Sequence, residues 1–165
     1  MNSSKTSNRQ DEKQPKKQQP KDAKQRAVGL IARRDYTVFE ITQKLTRDGY
    51  GNEVVKDAIT HLKASGLLDD DRYTRLYCES RLRAGYGPYR IASKLLLKGI
   101  AEDRTREVLD RIMAEEEFDL FESARVIASR FCLDDPKERQ RALRRLMSRG
   151  FDYGTAKQAI EAERK

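Results

Sequence analysis

The sequence predicts an all-α protein of three tandem three-helix repeats forming an elongated, curved molecule. Three observations carry that expectation. One unit recurs: Lys44-Leu-Thr-Arg-Asp-Gly-Tyr50, Lys94-Leu-Leu-Leu-Lys-Gly-Ile100 and Arg145-Leu-Met-Ser-Arg-Gly-Phe151 share a basic residue, Leu, three residues, Gly and a large apolar side chain, at spacings of 50 and 51 residues. Ile59, Leu109 and Ile160 follow the three glycines by ten positions, and Ile41, Ile91 and Ala142 precede them by eight. Apolar residues then recur at helical spacing between capping residues and glycines. Finally, charged residues make up 38% of the 165 and aromatic residues only 7%, without Trp, so many small helical contacts must replace one large core. Such units rest on their neighbours in sequence.

Taken in order, residues 1–24 hold Lys, Gln, Ser, Asn, Asp and Pro with only Met1 and Ala23 apolar, and they read as a disordered basic tail. Two roles stand open for it: a solubilising arm or a DNA-tethering arm. The first repeat, residues 25–66, begins with a short helix carrying Val28, Ile31 and Ala32. Thr37 followed by Glu40 has the capping-box spacing, opening a helix through Phe39, Ile41 and Leu45 that stops at Gly49-Tyr50. Asn52 is placed to cap a third helix through Val54, Val55, Ala58, Ile59 and Leu62, which Gly66 ends. The second repeat, residues 67–113, opens on Asp69-Asp-Asp71, consecutive carboxylates that suit a helix start better than a metal loop. Gly85, Gly87 and Pro88 make a tight turn, and Pro88 starts a helix that closes at Gly99. Ile91, Ala92, Leu95 and Leu96 fill its packing arc. Ala101-Glu-Asp103 offers no good N-cap for the next helix. The third repeat, residues 118–163, runs the same course to Ile160.

Several function classes are disfavoured. No apolar run approaches bilayer length and the N-terminus lacks an apolar signal segment, so a soluble, cytoplasmic protein is expected. Cys78 and Cys132 are far apart in helical patterns and are expected as free thiols. His61 is the only histidine, a poor basis for a metal site. With no phosphate loop, nucleophile elbow or histidine near a plausible nucleophile, the sequence argues for neither an enzyme nor a cofactor.

The formal charge of +8 is unevenly spread, with a net +4 over residues 71–111 and again over residues 121–165. Arg90, Lys94 and Lys98 recur every four residues as a basic ridge; the third repeat matches them with Arg141, Arg145 and Arg149, the first with Glu40, Lys44 and Asp48. A repeated ridge with no folding benefit visible in the sequence points to an anionic surface, nucleic acid foremost.

Gly66-Leu-Leu-Asp-Asp-Asp-Arg-Tyr73, Arg81 followed by Gly85-Tyr-Gly-Pro88, Arg90-Ile91 and Lys98-Gly-Ile100 resemble the most recognisable block of RecX, the bacterial regulator of the RecA recombinase. Ala32-Arg-Arg-Asp-Tyr-Thr37 and Arg149-Gly-Phe151 resemble that family's first and third repeats, and the likeness spans residues 26–162. It implies a non-enzymatic helical protein of three three-helix repeats that binds the RecA filament on single-stranded DNA; a monomer without cofactor, binding single-stranded DNA only weakly when alone, is expected. Lying in the filament groove, it would limit extension or promote disassembly, suppressing RecA's ATP hydrolysis, strand exchange and co-protease activity. Placed on this chain, Arg90, Lys94, Lys98, Arg141, Arg145 and Arg149 would make the electrostatic contacts. Arg81, Arg83 and Tyr86 would present from the turn that Gly85, Gly87 and Pro88 shape. The alternatives are an autonomous helical DNA-binding protein, with Tyr89, Arg90 and Ser93 on its reading helix, and a scaffold for another acidic protein.

Overall fold

A computed structural model of the protein describes residues 22–115 and 118–164. Among them are nine helices and no strand: α1 (Ala23–Ile31), α2 (Val38–Arg47), α3 (Asn52–Ala64), α4 (Asp70–Arg83), α5 (Pro88–Leu96), α6 (Glu102–Glu115), α7 (Leu120–Ala128), α8 (Pro136–Arg149) and α9 (Tyr153–Glu163). They form three successive triplets. Each triplet buries its own cluster: Leu30, Ile41, Leu45, Ala58 and Leu62 in the first, Leu82, Ile91, Leu95, Leu109 and Ile112 in the second, Ala124, Ala142, Leu146, Ala156 and Ile160 in the third. Burying one such Leu or Ile contributes about 1.5–3 kcal/mol, so each triplet has a small core and depends on its neighbours. The expected all-helical repeat architecture is what the chain adopts.

Local signals explain most boundaries. The Thr37 hydroxyl accepts from Glu40 N while Glu40 accepts from Thr37 N, completing the capping box. Asp69, Asp119, Asp135 and Asp152 each cap the following helix with a carboxylate. Gly99 and Gly150 close their helices at φ of +81° and +90°, where the next residue's N–H folds back to Leu95 and Leu146. The three acids at the second repeat's start go three ways, as their spacing implied: Asp69 caps α4, Asp70 accepts from Val38 N, and Asp71 pairs with Arg104.

Four details differ from expectation. The tail assigned to residues 1–24 lies outside the described residues except for 22–24, and there Asp22 already caps α1 and Ala23 is buried. That helix turns Ala23, Ala27 and Leu30 inward and leaves Val28 and Ala32 exposed, because small alanines let it pack close. Gly51, not Asn52, is the N-cap of α3; its carbonyl accepts from Val55 N and no side chain caps. Finally, Leu96 and Val54 are exposed, and α5 ends at Leu96, leaving Lys98 in the closing turn.

Candidate functional site

Three cations of the basic ridge, Arg90, Lys98 and Arg149, sit where repeats meet. At the second junction the turn before α5 docks on the turn after α8: Gly87 N donates to Arg149 O at 2.8 Å and Tyr89 N to Gly150 O at 3.1 Å. A Cβ on Gly87 would lie 2.3 Å from Gly150 O, and one on Gly150 would lie 2.3 Å from Arg90 N, so only glycine permits this approach. Arg149 Nη1 donates to Ala84 O and Gly85 O, both at 3.0 Å, and Arg90 Nη1 donates to Ser148 O at 2.8 Å. Between these guanidiniums sits the Tyr86 ring, 5.5 Å from Arg90 and 5.2 Å from Arg149, both within cation–π range.

The first junction repeats this arrangement fifty residues earlier. Thr37 Oγ1 donates to Lys98 O at 2.7 Å, and a Cβ on Gly99 would strike Phe39 at 2.3 Å. Here Lys98 Nζ meets Glu40 Oε1 at 3.0 Å and lies 5.5 Å from the Tyr73 ring centre. Burial alone would lower the Lys98 ammonium, but bonds to Tyr73 and Glu40 outweigh it and raise it above its ordinary value. Burial likewise works to raise Glu40, yet bonds from Lys98, Thr37 N and Arg34 hold its carboxyl below the usual range.

Along α4, Tyr73 and Tyr77 stack with centroids 6.1 Å apart, and the Arg81 guanidinium lies 5.0 Å from the Tyr77 ring centre. Beside them opens a cavity of about 110 Å³ lined by Tyr77, Arg81, Tyr86, Arg90, Ile91 and Lys94. Four of the residues singled out from the sequence thus converge on one cavity. The others do not reach it. Lys98 is held by Glu40; Arg141 pairs with Glu138; Arg83 and Arg149 line a different cavity with Asp119, Glu122 and Arg130. Arg145 is exposed on α8. Four of the six ridge cations therefore have a folding role: Arg90, Lys98, Arg141 and Arg149. Among the described residues neither Lys94 nor Arg145 pairs with a carboxylate. Gly85, at φ +73°, gives the turn its shape, while Pro88 starts α5. Tyr73 and Tyr77 were not singled out from the sequence, although their i, i+4 spacing ahead of Arg81 was readable as aromatic and basic residues sharing a helix face.

Among the described residues no group of three or more His, Cys, Asp or Glu is placed to hold a metal ion, and His61 is exposed. No described helix is long and apolar enough to cross a membrane. Cys78 is buried and Cys132 exposed, both as free thiols, and burial pushes the Cys78 thiol up to about 12.

By architecture this is an all-α tandem-repeat protein with a basic surface on its second repeat, beside the junction with the third. Models of the first and second three-helix domains of RecX match residues 23–62 and 69–109. Regulatory protein RecX of Halorhodospira halophila is 35% identical over 140 residues, covering 82% of this chain and 84% of that protein. The Vibrio vulnificus protein of the same name is 31% identical over 144 residues, covering 85% and 92%. The chain belongs to the RecX family of regulatory proteins. Its fold is shared with the crystal structure of RecX from Lactobacillus salivarius, at TM-score 0.74 and 18% identity over 86% of this chain and 94% of that one. A second RecX crystal structure superposes at TM-score 0.70 and 22% identity, over 84% and 70%.

Proposed function

We propose that this protein binds RecA filaments on single-stranded DNA and restrains them, inhibiting RecA's ATP hydrolysis, strand exchange and co-protease activity. It lies as a curved, elongated monomer in the filament groove and limits extension or promotes disassembly, so regulating DNA repair, homologous recombination and the SOS response in the cytoplasm. It acts without a cofactor or enzymatic step of its own. The observation that carries this reading is the basic face of a RecX-family chain: Arg81, Arg90 and Lys94 converge on one cavity, and Arg145 stands exposed on the next repeat. The alternative is an autonomous DNA-binding protein: Tyr89, Arg90 and Ser93 are exposed along α5, with Arg90 tied to Ser148 O, and the comparison below separates the two readings.

The test compares equilibrium binding to bare single-stranded DNA and to a preformed RecA filament on the same DNA, while RecA's ATP hydrolysis is followed. Much tighter filament binding with falling hydrolysis supports the reading; equal binding with hydrolysis untouched overturns it. Lys94→Glu combined with Arg145→Glu weakens filament binding at unchanged helicity, and rising salt weakens the wild type. Normal affinity of this variant removes the ridge from the interface.

A further inference from the structure

We infer that the cavity between α4 and α5 is a site for one phosphodiester of a single nucleic-acid strand. The inference deepens the proposed function by assigning one part of the basic face to DNA rather than to protein. Three cations from two helices, Arg81, Arg90 and Lys94, converge on about 110 Å³ of open space. None of the three pairs with a carboxylate among the described residues. Arginines nearby behave differently: Arg75 meets Glu79 and Glu115, and Arg104 meets Asp71 and Glu107. A cluster of like charges left without acids is a local cost that an anion relieves.

The two guanidiniums are positioned before any ligand arrives. Arg81 is held at the Tyr77 ring, and Arg90 by Ser148 O and Tyr86. Less side-chain freedom is then lost on binding. The donor set favours phosphate over carboxylate. Each group brings one negative charge on two oxygens, but a carboxylate's oxygens lie in one plane that a single guanidinium fork matches. The tetrahedral phosphorus of a strand's backbone instead offers its two non-bridging oxygens to donors approaching from two helices, with further phosphates following along the strand. Base stacking is not the mode of binding, because Tyr77 is already engaged by Tyr73 and Arg81, and Tyr86 by Arg90 and Arg149. The tyrosines serve as apolar walls, and the site reads backbone without sequence preference.

The experiment uses the full chain with three labelled probes: a fifteen-residue oligothymidylate, an abasic deoxyribose-phosphate strand of equal length, and a polyglutamate of equal charge. The cavity variant is Arg81→Gln with Lys94→Gln, which spares Arg90 and its junction contact; Lys56→Gln with Lys63→Gln removes the same charge from exposed positions on α3. The cavity variant loses about tenfold in affinity for both strands, its salt dependence falls by about one phosphate contact, the α3 variant stays near wild type, and polyglutamate does not compete. Equal loss in both variants, no loss in either, a clear preference for the strand bearing bases, or competition by polyglutamate overturns the assignment. RecA-filament regulation, measured in parallel, separates the two readings. If the cavity variant loses regulation but keeps DNA affinity, the phosphate site falls and the filament reading stands. If DNA affinity depends on the cavity while wild type leaves RecA unaffected, the phosphate site stands and the filament reading falls.

Discussion

Between the first and second repeats a side chain reaches across: the Thr37 hydroxyl donates to Lys98 O, and Glu40 meets the Lys98 ammonium. Between the second and third, the carbonyl of the matching residue, Arg149, receives a backbone N–H from Gly87, and the position matching Glu40 is Arg90. The backbone arrangement is shared; the chemistry is opposite. One junction neutralises its cation with a partly buried carboxylate. The other brings two backbones together and keeps both guanidiniums charged around Tyr86. That single exchange, Glu40 for Arg90, is why positive charge accumulates at the second junction and not the first.

The largest effect expected is steric. Gly150 and Gly49 share a positive φ, so alanine at either costs about 1–2 kcal/mol of backbone strain. At Gly49 an added Cβ meets nothing within 4 Å, whereas at Gly150 it meets the Arg90 backbone. Gly150→Ala therefore destabilises by roughly 3 kcal/mol or more in urea unfolding and Gly49→Ala by about 1, overpacking supplying the difference. Equal losses would remove close approach as the basis of the second junction.

Next comes the charge pair. The Lys98 and Glu40 side chains are 24% and 17% exposed, so Glu40→Gln costs about 1–2 kcal/mol at neutral pH, between the surface and buried limits. Glu40 sits below its ordinary value of 4.5, so its contribution is complete above about that pH and disappears as pH falls through the lower folded value. Lys98, raised above 10.5, contributes fully below that pH and loses its share as pH rises through the folded value. Asp70 runs the other way: burial raises it, its ionisation costs stability, and acid relieves that cost. The difference between wild type and Glu40→Gln isolates the pair from Asp70, and it should shrink on acidification; a difference independent of pH would refute the pair's role.

Tyr86→Leu at the second junction is a smaller change, about 1 kcal/mol, from the loss of two cation–π contacts while apolar bulk is largely kept. Thermal unfolding measures it; a loss equal to that of Gly150→Ala would mean the ring, not the backbone contact, carries the junction. The least perturbing experiment needs no substitution. At pH 8 a thiol reagent labels exposed Cys132 promptly and leaves Cys78, whose buried thiol sits at about 12, unlabelled until the second core opens. Prompt labelling of both would show that core to be loose.

Features set by neighbours in sequence were legible from residues alone. The Thr37–Glu40 box, Pro88 at the start of α5 and the glycines closing α5 and α8 all act within a few residues. The repeat itself was legible because Leu45, Leu95 and Leu146 must all be buried. What escaped was set at distance. Glu40 to Lys98 and Arg90 to Ser148 each span 58 residues, and no local pattern distinguishes a ridge cation that closes a junction from one left to bind. The helix at α1 was legible from Val28, Ile31 and Ala32, but its inward face was not, because close packing there puts the small Ala23 and Ala27 in the core and leaves Val28 exposed.

Leu120 packs against both the second and the third cores, and Phe118 against the second, although both lie beyond the second helical triplet. The second core is therefore closed by residues made later than its own helices. On the ribosome, where the N-terminal part emerges first, the first cluster is complete once Leu68 has followed α3, a few residues on, whereas the second waits for Phe118 and Leu120. A fragment cut after residue 113 would carry that core uncovered, with apolar surface open to aggregation. Useful truncations of this protein fall after residue 120 or before residue 69, and not at the seam that its periodicity marks.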